Sequence, residues 1–309
     1  MKARKVFSRI GWSYVVFLLV SGVFQVMLVI AGALAAVLSG TEEELLSDGS
    51  MLMILSQLSM YLLGFPVFVL MMGRVPSWHK TDGPELTAGQ LALLAVGCCG
   101  LTYIGSIFGQ FLVQIFDQVR GAETINPVTD TLEQMNPWSV LLTMVIAAPI
   151  MEELMFRKFL VDRLIPYGQK LAVVVSGISF GLFHGNWNQF FYAFLLGMVF
   201  AFIYSYTGKL RYSILLHMAV NTAGGFMPVF LEQTVSPQLL ETETAQVLLL
   251  VWMGVSIAAA AAAAAVYLPK LTWNRPWAQQ PEDGFVRELF KAPGVWFFLL
   301  ITAGQFAVY

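Results

Sequence analysis

The chain has 309 residues, is 58% hydrophobic and only 12% charged, and carries a formal net charge of −2. A soluble domain has about 25% charged residues, so this composition, with a mean hydropathy of +0.72, excludes a soluble globular protein and specifies an all-α, polytopic membrane protein with one integral domain over residues 1–309. No basic run is present to track phosphates, so nothing here suits nucleic acid, and the adjacent Cys98 and Cys99 suit neither an ordinary disulfide nor a metal cage.

Lys2, Arg4, Lys5 and Arg9 precede an apolar stretch, 10–39, that contains Ala33-Leu34-Ala35. The layout superficially resembles a signal peptide, but the apolar run far exceeds a signal core of ~7–15 residues and reads as a retained first span. Further runs long enough to cross ~30 Å of hydrocarbon at ~1.5 Å per residue follow. They lie at 51–73, 89–116, 138–160, 169–187, 188–207, 211–230 and 243–269, making eight spans. The Ala258–Ala265 run is expected to form a smooth surface that neighbouring helices approach closely. Residues 270–293, with Pro276, Pro281 and Pro293, read as a cytoplasmic connector. A ninth apolar stretch, 294–309, is short for a crossing and reads as a tilted, interfacial or re-entrant piece.

Loop charges test this count independently. Lys and Arg cluster before the first span, then at Arg74 and Lys80, at Arg163 and Lys170, at Lys209 and Arg211, and at Lys270, Arg275, Arg287 and Lys291. The intervening loops hold only Arg120 among the basic residues, and carry Glu42, Glu43, Glu44 and Asp48, then Asp117, Glu123, Asp130 and Glu133. Positive charge alternates with each crossing, which predicts a cytoplasmic N-terminus in a bacterial-type inner or cell membrane.

The chemistry lies inside the most apolar region. Glu152, Glu153 and Arg157 fall in the fourth span. Glu153 and Arg157 are i,i+4 and can pair on one helix face, whereas Glu152 is rotated by ~100° from Glu153. One reading has both acids neutralise Arg157 and Lys158 near the interface. The other divides them, with Glu152 facing a cavity as general base and Glu153 held by Arg157 behind it. Phe180 lies one turn before His184, and His217 lies one turn before Asn221. Alone, each pair is consistent with helix–helix hydrogen bonding or an interfacial side chain. Together, two carboxylates, two imidazoles and an amide are the parts that activate a water and polarise a carbonyl, and ionisable groups at bilayer depth mark functional sites. His79, beside Trp78 and Lys80, reads as ordinary surface, and Phe190, Phe191, Tyr192, Phe194, Gly197, Phe200 and Phe202 read as packing rather than a lipid-facing access route. Neither an H-E-x-x-H helix nor a G-x-S-x-G elbow occurs.

One geometric conflict follows from the span boundaries. Glu152 and His217 fall about 12 and 9 Å from the cytoplasmic end of their spans, but His184 falls about 22 Å from it at 1.5 Å per residue. Tilts average only ~20°, so convergence on one water requires a fifth helix broken or displaced near Gly185-Asn186.

The ordered set Glu152-Glu153-x-x-x-Arg157, Phe180-x-x-x-His184 and His217-x-x-x-Asn221, over a core at 138–230, resembles the three motifs of the CPBP family. These are the CAAX protease and bacteriocin-processing (Abi-type) intramembrane endopeptidases. The resemblance implies hydrolysis of a peptide bond in a hydrophobic, lipidated or otherwise membrane-associated substrate. It implies that Glu152 activates water with His184, that His217 and Asn221 stabilise the oxyanion, and that Glu153, Arg157 and Phe180 support them. The family is catalogued among metalloproteases, and its members are also argued to act through glutamate without metal. Glu152, His184 and His217 can form a three-ligand zinc site with one open position, or act on water directly. Two other functions fit the same residues: an ion-coupled secondary transporter, and a catalytically silent binding or chaperone protein on this scaffold.

Overall fold

The computed structural model describes residues 2–39, 49–79, 83–271 and 285–307. The acidic loop with Glu42, Glu43, Glu44 and Asp48, as well as Lys80 and the part of the connector with Arg275, Pro276 and Pro281, lies outside the described residues. The longer helices are α1 (Ala3–Ser39), α2 (Gly49–Met72), α3 (Ala88–Arg120), α4 (Pro137–Tyr167), α5 (Gln169–Phe183), α6 (Trp187–Thr207), α7 (Leu210–Thr234), α8 (Glu243–Lys270) and α9 (Pro293–Phe306). Seven are long and apolar enough to cross a membrane. No strand occurs among the described residues. The chain is therefore an all-α polytopic bundle, as its composition requires.

The exceptions are α5 and α9, of 15 and 14 residues. At 1.5 Å per residue each covers only about 21–23 Å of the ~30 Å hydrocarbon. The expected fifth span, 169–187, is cut short because His184 caps α5 and Gly185 takes a left-handed φ of 67°. Asn186 then starts α6, its side chain accepting from the Gln189 backbone N–H at 2.9 Å. An Asn N-cap of this kind satisfies a helix-end donor that lipid cannot satisfy.

Small residues set the packing. On α3, a Cβ at Gly100 would lie 2.2 Å from the Ser256 carbonyl oxygen of α8, and one at Gly105 would lie 2.4 Å from the Tyr192 backbone of α6. The Ala259–Ala260 backbone meets Gly97 in the same way, so the alanine run of α8 does admit a close neighbour. α3 is thereby wedged between α8 and α6, and α6 is pressed onto α5 through Gly177, Gly181 and Gly197.

At the Lys/Arg-rich end, polar contacts tie the loops down. Asp162 is buried and accepts from the Tyr204 hydroxyl at 2.8 Å, with Lys158 at 2.9 Å and His79 Nδ1 at 3.3 Å. His79 is exposed, as expected, and its ring also contacts the sequence-distant Asp162 carboxylate and Tyr204 hydroxyl. Arg163 donates from Nε and Nη2 to the Met72 carbonyl. In the loop before α3, Glu85 binds Lys209, Arg211 and Tyr212, which hold its exposed carboxyl down to about 2.

Replacing Gly105 by Val should drive α3 off Tyr192 and destabilise the bundle by about 1–3 kcal/mol. Thermal unfolding in detergent checks this. Gly89→Val, where a Cβ meets nothing within 4 Å, should leave the transition in place.

Candidate active site

The site begins with irregular backbone in α4. Residues Leu141–Ala147 are π-helical, Ala148–Glu153 α-helical and Leu154–Val161 π-helical again. The Ala148 N–H bonds to the Thr143 carbonyl, five residues back. In that register the next donor would serve the Met144 carbonyl, but residue 149 is proline and has no N–H. Asn221 Nδ2 supplies the missing donor to Met144 at 2.7 Å. In the second π stretch, the Tyr14 hydroxyl donates to the Met155 carbonyl and Ser176 Oγ to the Phe156 carbonyl, both at 3.0 Å. Distant side chains therefore stabilise the irregular turns that aim Glu152 and Glu153.

Glu153 and Arg157 have no solvent exposure and make a 3.0 Å ion contact, Nε to Oε2. The guanidinium lies 4.5 Å from the Phe180 ring centroid, 5.3 Å from that of Phe200 and 5.9 Å from that of Phe156. Those faces suit a weakly hydrated planar cation. The other carboxylate oxygen of Glu153 lies 3.0 Å from His217 Nδ1. An ionised carboxylate only accepts, so Nδ1 carries the proton and donates. His217 Nε2 then points to the cavity, 3.7 Å from Glu152 Oε2. Glu152 keeps 17% of its side chain exposed, whereas Glu153 keeps none, so the adjacent acids occupy different environments.

His184 donates from Nδ1 to the Phe180 carbonyl at 2.8 Å, because a carbonyl only accepts. Its Nε2 is left with a lone pair. The Phe180 ring stands edge-to-face with both imidazoles, 4.9 Å from His184 and 5.6 Å from His217. The Phe200 ring stacks on His217 at 5.2 Å.

Glu152, Phe180, His184, His217 and Asn221 line one cavity of about 380 Å³. Glu153 and Arg157 sit behind its wall. All seven residues selected from the sequence thus belong to one constellation. Sequence reasoning missed the contribution of Pro149, the use of Phe200 against His217, and the uncharged polar wall formed by Gln57 and Tyr61 of α2, Ser106 and Gln110 of α3, and Gln189 and Tyr192 of α6. Pro149, three residues before Glu152 in an apolar span, was the available signal. Among the described residues, no group of three His, Cys, Asp or Glu side chains is disposed to hold a metal ion. No step below runs through a metal.

Residues 134–223 match the family described as type II CAAX prenyl endopeptidase Rce1-like. Among curated proteins, the chain is 25% identical over 158 residues to the "Putative membrane peptidase YdiL" of Bacillus subtilis (strain 168), covering 50% of this chain and 64% of that one. It is 28% identical over 142 residues to the "Membrane-embedded CAAX protease MroQ" of Staphylococcus aureus (strain USA300), covering 43% of this chain and 55% of that one. Over its motif-bearing segment the chain is thus similar to the CAAX-protease (CPBP) family. The alignments span little more than half to under two thirds of those relatives, and no solved structure gives a significant match. The matched segment contains every motif residue from Glu152 to Asn221.

Arg157→Leu should strand the Glu153 carboxylate in the interior and cost about 3–5 kcal/mol, the usual penalty for breaking a buried pair. The double replacement Glu153→Gln, Arg157→Leu should recover part of that loss. Chemical unfolding of the three purified variants measures both.

Proposed function

We propose that this protein is an intramembrane endopeptidase that hydrolyses a peptide bond in a hydrophobic or membrane-associated peptide, using a water activated by glutamate and histidine. The observation that supports this best is the fixed His217, braced by Glu153 on one nitrogen and turned towards Glu152 on the other, over a cavity shared with His184 and Asn221.

The roles follow from donors and acceptors. The partly exposed Glu152 takes a proton from the attacking water, and the His184 Nε2 lone pair accepts the water's other hydrogen and orients it. The water oxygen bonds to the carbonyl carbon, and the carbonyl electron pair moves onto its oxygen. His217, as an imidazolium that donates Nδ1–H to Glu153, offers Nε2–H to that oxyanion. Asn221 spends one amide N–H on Met144 and retains the second for the same oxygen. Glu152 then delivers its proton to the departing nitrogen as the C–N bond breaks. Charge balances locally, since Arg157 offsets Glu153 and the imidazolium offsets Glu152. The alternating Lys/Arg loops support a cytoplasmic N-terminus, with the mouth of the site reached by substrates embedded in or lying on the membrane.

In detergent, with a panel of plain and lipidated hydrophobic peptides, the native chain should cleave at least one. Glu152→Gln and His184→Ala should each lower kcat by about 10²–10⁴, the range supplied by general acid–base groups. Activity should survive exhaustive chelation. Proton-linked uptake into liposomes without cleavage would favour the transporter instead.

A further inference from the structure

The turn that carries His184 is held from outside the motif-bearing segment. α9 lies far from the motifs in sequence and outside the family match, yet it packs on this turn. A Cβ at Gly185 would meet Gln305 Cβ at 3.0 Å and Gln305 Oε1 at 3.1 Å. That Oε1 is buried and has no hydrogen-bond partner among the described residues. The neighbouring Phe306 is buried and stands edge-to-face with Trp187 at 4.8 Å and Phe190 at 5.8 Å, in the first turn of α6. Gln305 and Phe306 therefore clasp the break between α5 and α6 on its outer side. On the inner side, Asn186 Nδ2 bonds to the His184 carbonyl and to Gln189 Oε1, both at 2.8 Å.

α9 is itself anchored to α1. A Cβ at Gly11 would lie 2.3 Å from the Gly294 carbonyl, the Gly294 N–H donates to Ser8 Oγ at 3.2 Å, and Trp12 meets Phe297 at 4.7 Å. The same α1 sends Tyr14 to the Met155 carbonyl beside the glutamates. One helix pair thus touches both irregular segments of the site: the π turn after Glu153 and the left-handed turn after His184.

We propose that Gln305 and Phe306 are positioning residues that set the His184 imidazole, with α9 acting as an outer brace locked to α1. Its catalytic consequence rests on the peptidase reading; the positioning itself does not. A short helix ended by a glycine in the left-handed region has no continuing hydrogen-bond ladder to fix its last residue. His184 sits at that last position. The Nδ1 bond to Phe180 fixes the ring against α5, the outer clasp fixes the turn that carries it, and misplacement by about 1 Å can cost 10²-fold in rate.

The chain has three histidines, so ring-¹³C-histidine labelling gives three imidazole signals, assignable from single His→Gln variants. In Phe306→Ala the His184 signal should shift or broaden, while those of His79 and His217 stay in place. Phe306→Tyr should restore it. Gln305→Ala should move the same signal and serves if Phe306→Ala does not fold. Leu300→Ala, an exposed position of the same helix, should leave the His184 signal in place. With a cleaved peptide, kcat should fall about 10-fold or more in Phe306→Ala, with KM little changed. An unmoved His184 signal in folded Phe306→Ala or Gln305→Ala, or an equal movement in Leu300→Ala, overturns the proposal. If native protein cleaves nothing but His184 alone responds to Phe306, the peptidase reading fails and the brace stands.

Discussion

An ionisable side chain placed at bilayer depth must be paired or wetted, and the structure around α4 follows from that constraint. Arg157 and Glu153 are both fully buried. Taking such ions out of water costs several kcal/mol each, which a pair recovers only with good geometry and further partners. Here the further partners are three aromatic rings for the cation and an imidazole for the anion. A buried pair of this kind is weak evidence for stability. Its use is specificity, because the oxygen of Glu153 not facing Arg157 fixes the direction in which the His217 ring points.

Backbone satisfaction and site geometry share the same side chains. Pro149 and two π-helical stretches free carbonyls that lipid cannot serve, and Asn221, Tyr14 and Ser176 donate to carbonyls in those stretches. Asn221 therefore repairs α4 while lining the cavity. A replacement there acts on helix and site together, which is why unfolding and turnover have to be measured side by side for any variant in this region.

The residue types and their order were legible in the sequence, and so was the all-α membrane fold, because charge and imidazole stand out against apolar spans. The i,i+4 spacing announced the Glu153–Arg157 pair. What could not be read were contacts across long sequence separations. Tyr14 reaches Met155, Glu153 reaches His217, and Asp162 gathers His79 and Tyr204. Periodicity contains none of these. Treating Phe180 only as a neighbour of His184 likewise missed that its ring serves Arg157 and His217 as well. The break expected near Gly185-Asn186 is present, where α5 ends at His184 and Gly185 takes a left-handed φ.

The claim on which the rest depends is that these groups face water inside the membrane. Labelling with a charged, water-soluble methanethiosulfonate tests it directly, in a background with Cys98→Ala and Cys99→Ala. Glu152 and Ala148 line the cavity, whereas Ile150, between them, is turned outwards. The thiols of Glu152→Cys and Ala148→Cys should react readily and that of Ile150→Cys should not. No reaction at either lining position, or equal reaction at all three, would contradict a wet cavity and the chemistry assigned to it.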